Sequence, residues 1–152
     1  MRTIKFLMLF FTLTGVIWAQ ETTSYSFTFN HLALSVSDVD RSAEFYKDVL
    51  GLEEITNRTK MEGIRWFSFN EGKELHLISV IKEKVTINKA VHFALTTPDF
   101  DNFVKILESK DIKYSDWLGT EGKINIRADG IKQIFFQDPE GYWIEVNSVA
   151  QK

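Results

Sequence analysis

Hydrophobic and polar residues alternate along Asn30-His31-Leu32-Ala33-Leu34-Ser35-Val36. Leu32, Leu34 and Val36 point one way; His31, Ala33 and Ser35 point the other. The alternation predicts a strand. After Ser37 the period lengthens, and Val39, Ala43, Tyr46 and Leu50 form a helical stripe that Gly51 ends. Ser37 is the expected N-cap, with Asp40 three residues on at a capping-box spacing. Apolar runs at about 53–58, 63–70 and 74–81 read as three further strands, the last two joined by a hairpin turn at Asn70-Glu71-Gly72-Lys73.

The same order then recurs. The segment Val91-His92-Phe93-Ala94-Leu95-Thr96-Thr97-Pro98-Asp99 lies over residues 30–38 at an offset of 61, with His, Ala, Leu and Asp coinciding. Thr97 is the expected cap of a second helix, Pro98 suits its first turn, and Phe100, Phe103 and Leu107 make its stripe. Strands are predicted at 112–117, 131–137 and 142–148, with a turn at Asp138-Pro139-Glu140-Gly141. Trp66-Phe67 and Gly72 lie over Phe135-Phe136 and Gly141 at an offset of 69, and the eight extra residues fit a Gly-containing loop between Trp117 and Ile131. The reading is two tandem βαβββ modules, about 28–82 and 89–148, in an α+β arrangement with helices on one sheet face.

Composition narrows the chemistry. The 152 residues suit one domain or two small modules sharing a core. A net charge of −3 argues against a nucleic-acid binder that relies on phosphate attraction. No cysteine is present, so disulfides, thiolate zinc sites, iron–sulfur clusters and cysteine nucleophiles are excluded together. Residues 1–19 combine Arg2 and Lys5, an apolar run and the small Ala19, which is the layout of a secretory signal peptide. Thr12 and Thr14 interrupt the run, and spanning a bilayer takes roughly 20 apolar residues, so no stable membrane insertion is expected after cleavage. The expected location is periplasmic or secreted, with a mature charge of −5.

The chain's three histidines, His31, His76 and His92, all fall in predicted strands. His31 and His92 are equivalent under the first offset, and His76 corresponds to Glu145 under the second. If each sheet curls into half a barrel, these four residues can converge on the pseudo-twofold axis. Such a cluster is costly alone, because a carboxylate in a cleft must be paired or protonated and clustered imidazoles resist gaining charge. One divalent cation resolves both. Ala33, Ser35, Ala94 and Thr96 are small and share the histidine faces, leaving room for a small-molecule substrate. A single strand histidine is more often structural than ligating; the symmetric placement, and Glu145 inside Trp143-Ile144-Glu145-Val146, weigh the other way. Trp66, Phe67, Phe135 and Phe136 read as core, and Trp143 as an aromatic pocket residue.

These residues resemble the vicinal oxygen chelate superfamily, which includes glyoxalase I, extradiol dioxygenases, and the fosfomycin and bleomycin resistance proteins. The likeness rests on residues 30–34 leading to Phe45-Tyr46-Lys47-Asp48-Val49-Leu50-Gly51-Leu52, and on Phe136-Gln137-Asp138-Pro139-Glu140-Gly141-Tyr142-Trp143-Ile144-Glu145. It implies paired modules forming an open eight-stranded, barrel-like cleft around one divalent metal (nickel, zinc, cobalt, manganese or iron). His31, His92 and Glu145 fall on family ligand positions, and His76 stands where bacterial glyoxalase I carries glutamate. The implied activity is glyoxalase-like lyase or isomerase chemistry on a small molecule bearing adjacent oxygens, with Glu145 as the catalytic base. An extradiol-type iron dioxygenase and a bleomycin-resistance-like binding protein are the alternatives. Modules of this kind join within one chain or are exchanged in a homodimer, where His31 and His76 would meet a second chain's His92 and Glu145. Lys123 and Arg127, in the loop 118–130, either close over the cavity or stay solvated.

Overall fold

The computed structural model describes residues 25–149, so the predicted signal peptide lies outside the described residues. In the first module, β1 (His31–Ser35), α1 (Val39–Asp48), β2 (Glu53–Ile55), β3 (Ile64–Ser68) and β4 (Glu74–Ile78) follow in order. Their strands form one sheet ordered β1-β4-β3-β2, with β1 and β4 parallel and the other pairs antiparallel. The second module contains β5 (His92–Thr97), α2 (Phe100–Ser109), β6 (Tyr114–Ser115), β7 (Asn125–Ile126), β8 (Lys132–Gln137) and β9 (Trp143–Ser148). Its sheet repeats the topology as β5-β9-β8-β6, again with its two end-of-module strands parallel. The fold is α+β with two tandem βαβββ modules. Among the described residues no helix is long and apolar enough to cross a membrane.

Local chemistry moved several boundaries. Asp38, not Ser37, caps α1: its Oδ1 accepts from the Asp40 and Arg41 amides at 3.1 and 3.0 Å. The Ser37 hydroxyl is committed elsewhere, donating to Glu140 Oε1 at 2.9 Å across the modules. At α2 the N-cap position is Asp99, and the Thr97 hydroxyl accepts from the Asp99 amide just before it. Strand β2 stops at Ile55 because the Asn57 side chain bonds the backbone of Thr59, Met61 and Ile64 into a turn. The predicted loop 118–130 contains β7, which pairs with β8 and makes nine strands rather than eight among the described residues. The turn Asn70–Lys73 has positive φ at both central residues, Glu71 (49°) and Gly72 (71°), as a type I′ hairpin requires.

One hydrophobic core serves both modules. Leu34, Val36, Phe67, Leu75 and Leu77 pack with Val104, Leu107, Ile134, Phe136, Ile144 and Val146, and all are buried. Phe136 lies between the helices, its ring 6.4 Å from that of Phe45 and 5.8 Å from that of Phe103. Polar ties close the same junction. The buried Tyr46 hydroxyl donates to Asp138 Oδ2 at 2.8 Å, and Asp138 Oδ1 accepts from the Glu140 and Tyr142 amides. Burial pushes the Tyr46 phenol and the Asp138 carboxyl both above their ordinary pKa values. Tyr142 donates to the Ser35 carbonyl, and Arg41 pairs with Glu140.

This junction decides where the site can be. It uses the Leu34, Leu75 and Leu77 face of one sheet and the Ile134, Phe136 and Ile144 face of the other. On the opposite faces His31, Ala33, His92, Ala94 and Thr96 are exposed, while Trp66 on the first and Gln133, Phe135, Glu145 and Asn147 on the second are buried.

Candidate metal centre

The four sequence-selected residues come together as two pairs, one on each open face. On the first sheet His31 and His76 stack, with ring centroids 4.3 Å apart and planes 16° from parallel. Trp66 is the antiparallel partner of His76 and stacks on its other side at 4.0 Å and 7°. The Arg58 guanidinium lies over Trp66, 4.7 Å from the ring centroid. The result is a four-layer stack of Arg58, Trp66, His76 and His31. Glu74 clamps it, accepting from Arg58 Nη2 at 2.7 Å through Oε1 and meeting His76 Nε2 at 2.8 Å through Oε2. Bonding to His76 and Arg58 holds the Glu74 carboxyl below the usual range.

On the second sheet His92 Nε2 lies 3.2 Å from Glu145 Oε2. Register explains the pairing: Ala94 is the parallel partner of Glu145, one step along the same face from His92. Gln133 Nε2 and Asn147 Nδ2 both donate to Glu145 Oε1, at 2.8 and 2.6 Å. That commits Oε1 and leaves Oε2 as the outward oxygen. Glu145 is buried at 8% exposure, so a carboxylate here depends on those donors.

Two equivalent hydrogen bonds set the histidines for ligation. His31 Nδ1 lies 2.7 Å from Asn30 Oδ1, and His92 Nδ1 lies 2.9 Å from the Lys89 carbonyl. An oxygen acceptor at Nδ1 places the proton there in a neutral ring and leaves the Nε2 lone pair bare, which a metal ion requires. The donors therefore fit a divalent cation in kind. In number a single chain falls short: among the described residues no three His, Asp or Glu side chains gather closely enough to hold one. The anticipated meeting of His31, His76, His92 and Glu145 thus does not take place within one chain, because the shared core turns the two donor faces away from it.

Aromatic residues divide by face. Phe67 and Phe136 are core, as expected. Trp66 and Phe135 are buried too, as expected, at 7% and 2% exposure, but on the sheet faces opposite the shared core: Trp66 stacks on His76, and Phe135 meets His92 edge-on at 5.7 Å. Trp143 and Phe135 flank the Lys89 ammonium at 4.8 and 4.7 Å, and Lys89 also donates to Ser115 Oγ. Burial lowers the Lys89 pKa. Beside Glu145 a depression of about 410 Å³ is lined by Trp117, Lys123, Asn125, Gln133 and Phe135. Lys123 reaches it paired to Asp116 at 3.1 Å, whereas Arg127 pairs with Asp129. Glu74, Gln133 and Asn147 escaped the sequence reading; the available signal was alternation, since Glu74 and Asn147 each sit two residues along the strand from a ligand candidate and Gln133 is the cross-strand partner of Asn147.

Residues 28–146 match the family model of the Glyoxalase/Bleomycin resistance protein/Dioxygenase superfamily, and the chain belongs to this superfamily. Among characterised relatives it is 30% identical to Glyoxylase I 4 of Arabidopsis thaliana, over 77% of this chain and 68% of that protein. It is 24% identical to the lactoylglutathione lyase of Pseudomonas putida, over 89% and 92% of the two chains. It is 29% identical to the metallothiol transferase FosB of Staphylococcus haemolyticus, over 78% and 81%. Among solved structures, Oxidase ChaP-H2 shares the fold with a TM-score of 0.67 and 24% identity, over 82% of this chain and 95% of that one.

Proposed function

We propose that this chain is a metal-dependent enzyme that works as a homodimer, each site drawing His31 and His76 from one chain and His92 and Glu145 from the other. The observation that carries the reading is the paired arrangement itself. Two duplicated donor pairs lie on the sheet faces opposite the shared core, and among the described residues neither is part of a group of three that could hold an ion. A second copy related by a twofold axis brings unlike halves together twice. One divalent ion, nickel, zinc, cobalt, manganese or iron, would supply Lewis acidity toward two adjacent oxygens of a small-molecule substrate.

The reaction proposed is glyoxalase-like lyase or isomerase chemistry. Glu145 Oε2, held outward by the bonds at Oε1, would have to let go of a bound ion to take a proton from the carbon beside a substrate carbonyl and return it to the neighbouring carbon. Trp143, Phe135 and Trp117 supply apolar walls that limit water. Export is proposed from residues 1–19 alone, and it favours a substrate met outside the cytoplasm over a cytosolic thiol adduct. One observation favours a second reading, the extradiol-type dioxygenase. The Nε2 of His76 is engaged by Glu74, so His31, His92 and Glu145 could form a 2-His-1-carboxylate site with open positions.

Metal analysis of untagged protein, with oxygen uptake after anaerobic iron loading and addition of catechols, tests both readings. The expected result is one ion per chain and no catechol-dependent uptake. Rapid uptake transfers the assignment to the dioxygenase. Absence of metal, with no gain in thermal stability from any of the five ions, leaves a small-molecule binding protein.

A further inference from the structure

We propose that residues 25–29 of one chain form an arm that docks along the free edge of β5 in a second copy, its three aromatic rings filling the groove there. This rests on the two-chain reading just given and adds to it a segment that holds the two chains together. Tyr25, Phe27 and Phe29 alternate with Ser26 and Thr28, the pattern of a half-buried strand. Among the described residues the segment pairs with no strand, and the three rings are 75%, 88% and 59% exposed. The rings of Tyr25 and Phe27 lie 6.3 Å apart, as neighbours on one side of an extended backbone do. The receiving groove has a volume of about 880 Å³ and draws apolar side chains from both modules, among them Leu32, Leu52, Phe69, Phe93 and Phe103. Residues 93–97 line it in succession, so it follows the edge of β5 rather than one face. As the outermost strand of its sheet, β5 is bonded to β9 on one side, and its other row of backbone groups is open to a further strand.

The duplication sets the register. Where His31 of one chain meets its equivalent, His92 of the other, the local twofold axis reverses strand direction, so the arm continues β1 antiparallel to β5. Counting outward from the level histidines, Phe29 falls opposite Ala94, Phe27 opposite Thr96 and Tyr25 opposite Pro98 of the second chain. Ala94 and Thr96 share the His92 face and are exposed, as is Pro98. Large rings thus meet small residues across the strands. Such rings bury about 150–250 Å² each, so those of both arms remove on the order of 1,000 Å² from water before the groove's own surface is added. A stable interface takes about 1,200–2,000 Å² in all. The docked arm walls the cleft along β5 and leaves the depression beside Glu145 and Trp117 for substrate.

The chain has no cysteine, so introduced thiols report the contact without background. Full chains carrying Phe27→Cys and Thr96→Cys singly, co-expressed and then oxidised, are expected to form a disulfide-linked heterodimer on non-reducing gels, because opposite residues of an antiparallel pair are within disulfide reach. Either variant alone is expected to stay largely uncrosslinked. Tyr25→Ser combined with Phe27→Ser is expected to weaken dimerisation at least about tenfold in sedimentation equilibrium, with an unchanged circular dichroism spectrum. A dimer of wild-type strength in that variant, or no heterodimer disulfide, overturns the inference while leaving the two-chain site intact. So does stoichiometric uptake of anilinonaphthalene sulfonate by the wild-type dimer, which would give the groove to an apolar small molecule. A wild-type protein that stays monomeric at micromolar concentration overturns the two-chain function and this inference together.

Discussion

Glu145→Gln is expected to fold normally and to lose its metal, with affinity reduced about 100-fold or more and any turnover reduced about 10²–10⁴-fold. The amide oxygen can still accept from Gln133 and Asn147, which hold Oε1 in the native protein, so the strand keeps its internal bonds. The new amide nitrogen takes the place of Oε2, 3.2 Å from His92 Nε2. His92 already donates from Nδ1 to the Lys89 carbonyl, so its Nε2 carries the lone pair, and an N–H there would occupy it. The substitution thus removes a charge and blocks an imidazole in one step. Metal content after gel filtration, read beside the circular dichroism spectrum, checks it. A variant that keeps stoichiometric metal would remove Glu145 from the site.

Phe136→Ala is expected to cost about 3–5 kcal/mol of stability, in a single cooperative transition. Its ring is 1% exposed and fills the space between Phe45 of α1 and Phe103 of α2, one helix from each module. Neither helix can collapse into the cavity without leaving its own sheet. Urea unfolding at a fixed protein concentration measures the loss, fixed because dimerisation would contribute to apparent stability. Two separate transitions, or a loss under about 1 kcal/mol, would mean that the modules do not share a core.

Duplication made much of this legible in advance. His31 and His92 were matched by an offset alone, and the same offset carried the small residues beside them. Strand alternation assigned the faces of β1 and β5 correctly, since Leu34 is buried while Ala33 and Ala94 are exposed. What escaped the reading depended on contacts between distant residues. Ser37 has good capping chemistry, yet Glu140, 103 positions away, claims its hydroxyl. Trp66 and Phe135 are buried as read, but which sheet face they occupy follows only from their alternation with Phe67 and Phe136. Glu74 drew no reading, because nothing local announces that Arg58, across a turn, would fold over Trp66 and hold it. The relation of the two donor faces was beyond local pattern altogether. It is fixed by Tyr46 on Asp138 and Phe136 between two helices, contacts that turn both histidine faces outward.

Mixed dimers test the shared site most directly. A chain with His31→Ala and His76→Ala lacks one half of the site, and a chain with His92→Ala and Glu145→Gln lacks the other. Expressed alone, each is expected to hold no stoichiometric metal. Co-expressed in equal amounts, random pairing makes half the dimers mixed, and each mixed dimer has one complete site of two, so metal content should recover to about a quarter of wild type. Dimers carrying one purification tag from each chain should hold one ion apiece. No recovery on mixing, or full metal in either variant alone, would contradict a centre built from two chains.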